Sequence, residues 1–131
     1  MSFLLDTNIC SYYVKYRRRL THRFFQHSGR LYTTTIVLSE LYTWAYKRSD
    51  PTRLLLAIDG QLLPQLHVLD FTQECAKQFG KLSAAASRNG IGFSPLDWMI
   101  ASVALVHDLT LITANTRHFD RVPDLRLDNW S

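Results

Sequence analysis

Short apolar runs alternate with helix-period segments from one end of this chain to the other. That alternation restricts the fold more than any other feature. The runs are "FLLDT" near the N-terminus, then "LYTTTI", "LHVLDF", "TLITA" and "LRLDNW". Between them "NICSYYVK", "RRRLTHRFFQH", "VLSELYTWAYKR", "PTRLLLAIDGQLL", "TQECAKQFGKLSAAASRN" and "SPLDWMIASVALVHD" read as helices. Pro51 takes a helix-start position in a segment that continues to Pro64, and the next helix repeats apolar residues at 75, 76, 79, 82 and 86 and stops before Gly90. Strands separated by helices predict an α/β fold, a parallel sheet sandwiched by helices. No linker, repeat or low-complexity stretch divides the 131 residues, so one domain over 1–131 is expected.

Hydrophobic content of 47% with three Trp, six Tyr and seven Phe gives a chain of this size enough apolar surface for a core. No apolar run approaches the roughly 20 residues of a membrane helix. The N-terminus has no basic start before its apolar stretch, and Asp6 interrupts that stretch early. Cys10 and Cys75 make no metal-like or redox-like pair. The expectation is a small soluble protein of the reducing cytoplasm, without a membrane partner. The net charge of +4 is uneven: residues 1–65 hold nine Lys/Arg against four Asp/Glu, and residues 66–131 hold six against seven. The densest run, "KYRRRLTHRFF", carries Lys15, Arg17, Arg18, Arg19 and Arg23. Such a basic half permits contact with a phosphate backbone, and equally a solvated helix face.

Three acids stand where apolar neighbours make a carboxylate expensive. Asp6 ends the first strand, at the sheet edge where open α/β folds bind ligands. Glu40 projects between Ile36 and Trp44, on the border of its helix's apolar stripe. Asp97 points with Ile100, Ala101 and Ala104 in a helix that is apolar almost all round; Ser94-Pro95-Leu96-Asp97 also reads as a capping box. Thr113 and Asn115 follow the fourth strand, where their default role is to cap a short helix, with Arg117, His118 and Asp120 just beyond. Carboxylates gathered at one edge raise each other's pKa, and hard divalent ions such as Mg²⁺ or Mn²⁺ relieve that cost. Such ions beside a basic surface suggest phosphodiester hydrolysis.

These residues also carry a family resemblance. "FLLDTN", "LSEL", "SPLDWMIA" and "LITANTRHF" occur in the order found in PIN-domain ribonucleases, and the chain most resembles the VapC toxins of bacterial toxin–antitoxin pairs, through the closing "VPDLRLDNW". The resemblance implies a three-layer α/β/α sandwich around a parallel sheet. It implies Asp6, Glu40 and Asp97 as metal-binding acids for Mg²⁺ or Mn²⁺, with Thr113 orienting water or a carboxylate. It places Thr7 and Asn8 in support of the Asp6 turn. For such a nuclease, Asn8, Asn115 and Arg117 are substrate-contact candidates near the chemistry, and Arg18 and Arg19 are phosphate-contact candidates by their charge. Family members cleave RNA to leave a 5′-phosphate and a 3′-hydroxyl. The "NTR" and "DNW" patterns resemble enzymes that cut initiator tRNA in the anticodon stem-loop. A homodimer and a VapB antitoxin covering the active-site groove are implied as well.

One position departs from the family pattern. Relatives commonly carry an acid just before the Phe of the last motif, where this chain has His118. Asp120 could hold a second metal ion instead, Asn115 could contribute a carbonyl, or His118 could act as a softer ligand favouring Mn²⁺. Lys47 and Arg48 are further phosphate-contact candidates, and Tyr12, Tyr13 and Trp98 either stack on bases or fill the core. Two other functions use the same motifs. A phosphatase would attack phosphate through Asp6, although Asn8 stands where its second acid belongs. A PIN-like binding module would hold RNA or an antitoxin without turnover.

Overall fold

The computed structural model describes all 131 residues. Its five strands are β1 (Phe3–Leu5), β2 (Leu31–Thr34), β3 (His67–Leu69), β4 (Thr110–Ile112) and β5 (Leu127–Asp128). Its helices are α1 (Thr7–Lys15), α2 (Arg17–Gln26), α3 (Thr35–Tyr46), α4 (Thr52–Ala57), α5 (Gln73–Arg88) and α6 (Pro95–Val106). The strands form one fully parallel sheet in the order β3-β2-β1-β4-β5. The chain builds outward from β1 to β3, then returns across the sheet to β4 and β5. Right-handed crossovers in opposite directions put α1–α4 on one face and α5–α6 on the other, which makes three layers. Helix neighbours follow suit, α1 against α2 and α3, and α5 against α6.

The reversal point lies between β1 and β4, which pair directly. There the first helices leave toward opposite sides of the sheet and open a crevice at the strand carboxyl ends. Asp6 ends β1 and Thr113 ends β4. Their strands are locked in register by Asp6 N–H donating to the Ile112 carbonyl at 2.9 Å. Beneath them Leu4, Leu5, Leu31, Leu111 and Ile112 are fully buried against Ile9, Val37, Leu41, Ile100 and Val103.

Several expected elements shift for identifiable reasons. The "LYTTTI" strand stops at Thr34, whose hydroxyl accepts the Ile36 N–H and starts α3. The single helix expected from Pro51 to Pro64 is α-helical only to Ala57. It widens into a π turn over Ile58–Leu62 and tightens into a 3₁₀ turn over Leu63–Gln65. Gly60 weakens the regular ladder, and Pro64 has no N–H to donate to it. In α5 the expected apolar face holds at Cys75, Leu82 and Ala86, whereas Ala76 is exposed. Ser94 precedes α6 but makes no side-chain capping bond, so the expected capping box does not form. That leaves the Asp97 carboxylate with other partners.

Candidate active site

The Asp6 carboxylate is the fixed point of the crevice. It is 4% exposed. Its Oδ1 accepts the Thr7 N–H at 2.8 Å, which makes Asp6 the N-cap of α1. Its Oδ2 accepts the Thr113 hydroxyl at 2.8 Å. Asn8 reinforces both ends: its side-chain amide donates to Asp6 Oδ2 and Thr113 Oγ1 at 3.4 Å each, and its Oδ1 accepts the Ala114 N–H at 2.9 Å. Thr113 Oγ1 also accepts the Asn115 N–H at 3.0 Å. The short "DTN" and "TAN" segments therefore tie the ends of β1 and β4 into one network, in which no buried side-chain polar atom lacks a partner.

Glu40 and Asp97 approach that network from opposite layers. Glu40, on α3, accepts the Thr7 hydroxyl through Oε1, so the residue after Asp6 bridges the two acids. Asp97, in the first turn of α6, accepts from His118 Nδ1 at 2.9 Å. His118 is itself tethered, since its backbone carbonyl accepts the Trp98 indole N–H at 3.2 Å. The Asp6 carboxyl registers both neighbours. Burial lifts its pKa from 3.8 to about 6, against the lowering effect of the Thr113 and Thr7 hydrogen bonds, and the charges of Asp97 and Glu40 push it further up. Burial, helped by the Asp6 charge, likewise pushes the nearby Cys10 thiol up and keeps it inert.

The Glu40 and Asp97 charges both act on Asp6, yet the three acids do not form a closed cage: no group of three His, Cys, Asp or Glu side chains stands close enough to hold an ion. Asp6 is immobilised. Glu40 and Asp97 are partly exposed, and each makes a single side-chain hydrogen bond. The donors are all carboxylate and hydroxyl oxygens, the set that hard divalent cations prefer.

The remaining candidates divide sharply. Thr113 and Asn8 lie in the network, and Asn8 spends both ends of its amide on internal partners. The expected capping role of Thr113 and Asn115 is replaced: Thr113 serves Asp6, and Asn115 precedes the 3₁₀ turn Thr116–His118 without a side-chain bond. Asn115 and Arg117 are exposed at the rim. Asp120 is also exposed, and it is not among the charges that lift Asp6. Arg18 and Arg19 lie past the far end of the nine-residue α1, about 14 Å along its axis from the acids. Arg19 folds onto Tyr12 and Tyr16 there. Tyr13 and Trp98 belong to the core.

Two features escape a linear reading. One is the Asp97–His118 contact, because the partners are 21 residues apart and neither sequence context marks a pair. The other is a groove beside the acids lined by Thr7, Ile36, Ser39, Glu40, Thr43, Trp44, Lys47 and Leu96. The i, i+3, i+4 spacing of positions 36, 39, 40, 43, 44 and 47 was the available signal for a shared helix face.

Known proteins share this arrangement of chain and sheet. The PIN domain family model matches residues 3–125. The chain is 36% identical over 132 residues to the tRNA(fMet)-specific endonuclease VapC of Shigella flexneri, covering 100% of this chain and 99% of that one. It is 34% identical to the protein of the same name from Salmonella typhimurium, covering 99% and 98%. Among solved structures, DNA-bound VapBC from Salmonella typhimurium matches with a TM-score of 0.93 at 33% identity, covering 100% of this chain and 99% of that one. VapBC2 from Rickettsia felis, bound to a promoter DNA fragment, matches at 0.92 and 29% identity, covering 100% of both.

Proposed function

Because this chain belongs to the PIN-domain family, we propose that it is a single-domain endoribonuclease toxin which cuts initiator tRNA and is held in check by a VapB-type antitoxin. The observation that carries the reading is the buried Asp6 at the sheet reversal with two further acids beside it: Thr7, whose N–H caps Asp6, gives its hydroxyl to Glu40, and the Asp97 charge also acts on the Asp6 carboxyl. Three acids brought together from both helical layers at a sheet reversal have no packing purpose, and they cost stability while empty of positive charge. Asp6, Glu40 and Asp97 would hold Mg²⁺ or Mn²⁺, which would supply an activated water and neutralise the leaving oxygen.

The chain's own residues do the rest. Thr113 and the Thr7 N–H aim the Asp6 lone pairs and favour its ionised form. Thr7 fixes the Glu40 side chain, and His118 fixes Asp97, so each acid has an orienting partner behind it. Asp120 falls outside this set. Arg117, exposed at the rim and in no ion pair, is a cation on the β4 side free for a substrate phosphate. The Arg17–Arg19 run is a remote, salt-sensitive contact for the tRNA body. Residence in the cytoplasm and a homodimer complete the reading; no helix is long and apolar enough to cross a membrane.

Phosphatase chemistry fits the geometry poorly, because the Asp6 carboxylate is buried and both its oxygens accept hydrogen bonds. The decisive test is cleavage of purified initiator tRNA with Mg²⁺ or Mn²⁺, followed by sequencing of the RNA ends. EDTA should suppress the products, and Asp97→Asn should abolish them while the thermal melt stays close to wild type. Equal cutting by Asp97→Asn would reduce Asp97 to a partner of His118. Absence of any EDTA-sensitive product would leave a binding module.

A further inference from the structure

The groove along α3 has a composition that the three acids do not explain. It starts at Thr7 and Glu40 and passes Ser39 and Thr43 to Trp44 and Lys47, with Leu96 of α6 as its opposite lip. Glu40 and Trp44 are four residues apart, so the indole lies about 6 Å along the helix from the carboxylate. Lys47 follows three residues on, on the same face.

Each component points to the same ligand chemistry. Trp44 is half-buried, whereas Trp98 and Trp130 are core residues, so Trp44 is the most exposed of the three indoles. The Lys15 ammonium lies 5.3 Å from the centre of its ring and holds the indole in place. Lys15 itself does not line the groove. The exposed Ser39 and Thr43 hydroxyls donate back to the Thr35 and Ser39 carbonyls at 3.0 and 2.8 Å. Their remaining lone pairs can only accept, which suits the amino group of a base or a ribose 2′-hydroxyl. Lys47 is exposed and makes no ion pair, leaving it free for a phosphate.

We propose that this groove is a subsite for one unpaired nucleotide next to the scissile phosphate, with its base against Trp44 and its phosphate at Lys47. The proposal rests on the nuclease reading and adds to it a residue that demands a splayed base, and so favours loop RNA over duplex. It also separates two kinds of basic contact. Lys47 acts at the end of the groove that starts from Glu40, and Arg17–Arg19 act outside it.

The test uses the full-length protein and a fluorescein-labelled RNA hairpin with an unpaired loop, titrated in EDTA so that binding is read apart from cutting. Trp44→Ala should raise Kd roughly ten- to a hundredfold, while Trp44→Phe should stay within a few-fold. RNA should quench the wild-type tryptophan fluorescence, and Trp44→Phe should lose that quench. Lys47→Gln should weaken binding and lower the slope of log K against log salt by about one. Removing the loop bases one at a time should reveal one position whose loss weakens the wild type and leaves Trp44→Ala unaffected. Should Trp44→Ala fail to fold, the fluorescence arm with Trp44→Phe still decides, a quench unchanged in Trp44→Phe overturning the subsite. An unchanged Kd for a folded Trp44→Ala, or no sensitive loop position, overturns the subsite. So does unchanged RNA affinity with weakened binding to a VapB-type antitoxin, which would give the groove to the protein partner. Cutting that ignores Trp44 would retire the subsite and keep the nuclease; Trp44-dependent binding without cutting would do the reverse.

Discussion

Replacing Asp6 with Asn should stabilise the metal-free protein at neutral pH while destroying its activity. The magnitude follows from the buried carboxyl. A group lifted from 3.8 to about 6 carries about 3 kcal/mol against its ionised form. Between those two values the unfolded chain releases a proton that the folded chain keeps. Stability contributed by this group is therefore full below pH 3.8 and is lost as pH rises to about 6. Asn removes that loss, but it offers one acceptor oxygen where the carboxylate offered two, and its amide must face the donors Thr7 N–H and Thr113 Oγ. Giving up a charge-assisted hydrogen bond costs about 1.5 kcal/mol. The net expectation is a gain on the order of a kcal/mol at pH 7.5.

Urea unfolding of wild type and Asp6→Asn in EDTA would measure it. The difference between the two proteins should favour Asn at pH 7.5 and shrink or change sign near pH 4. Added Mn²⁺ or Mg²⁺ should raise the wild-type midpoint and leave Asp6→Asn unmoved. A variant less stable than wild type at pH 7.5, or a difference that does not depend on pH, would refute the claim that an ionised Asp6 is held at a cost.

Two further outcomes probe the groups behind the acids. His118→Ala removes the only side-chain partner of Asp97 and should raise the metal concentration for half-maximal cleavage roughly 10- to 100-fold. Its melting temperature should barely move, since the His118 ring is largely exposed; an unchanged metal titration would show that the contact is incidental. Thr113→Val keeps the shape but takes the hydroxyl from Asp6 and the acceptor from the Asn115 N–H. It should lose about 1–3 kcal/mol of stability in urea and cut cleavage roughly tenfold or more, and wild-type rates in a folded protein would deny Thr113 a role at the site.

Much of the molecule was legible in one dimension because its signals are local. The strand–helix alternation that predicts a parallel sheet is a matter of period and length, and each of the five strands lies within its expected run. Asp6, Glu40 and Asp97 stood out because each sits in an apolar neighbourhood that is visible within a few residues. Errors arose where a local signal had a non-local competitor. Ser94 and Asp97 spell a capping box, yet Asp97 turns to His118 instead. Asn115 looks like a cap and makes no capping bond. Arg18 and Arg19 follow Asp6 closely in sequence, yet the nine-residue α1 separates them from the acids; that distance leaves a substrate contact there untouched.

The sequence by itself determined the number and type of elements, the apolar interior and the presence of costly acids, since propensity and periodicity act over one or two helical turns. Only the tertiary structure decided which of those acids meet, that Thr113 braces Asp6 across 107 residues, that His118 backs Asp97, and that Trp44 and Lys47 flank them. Those pairings depend on strand order and crossover direction, and no short window of sequence encodes where the chain reverses across its own sheet.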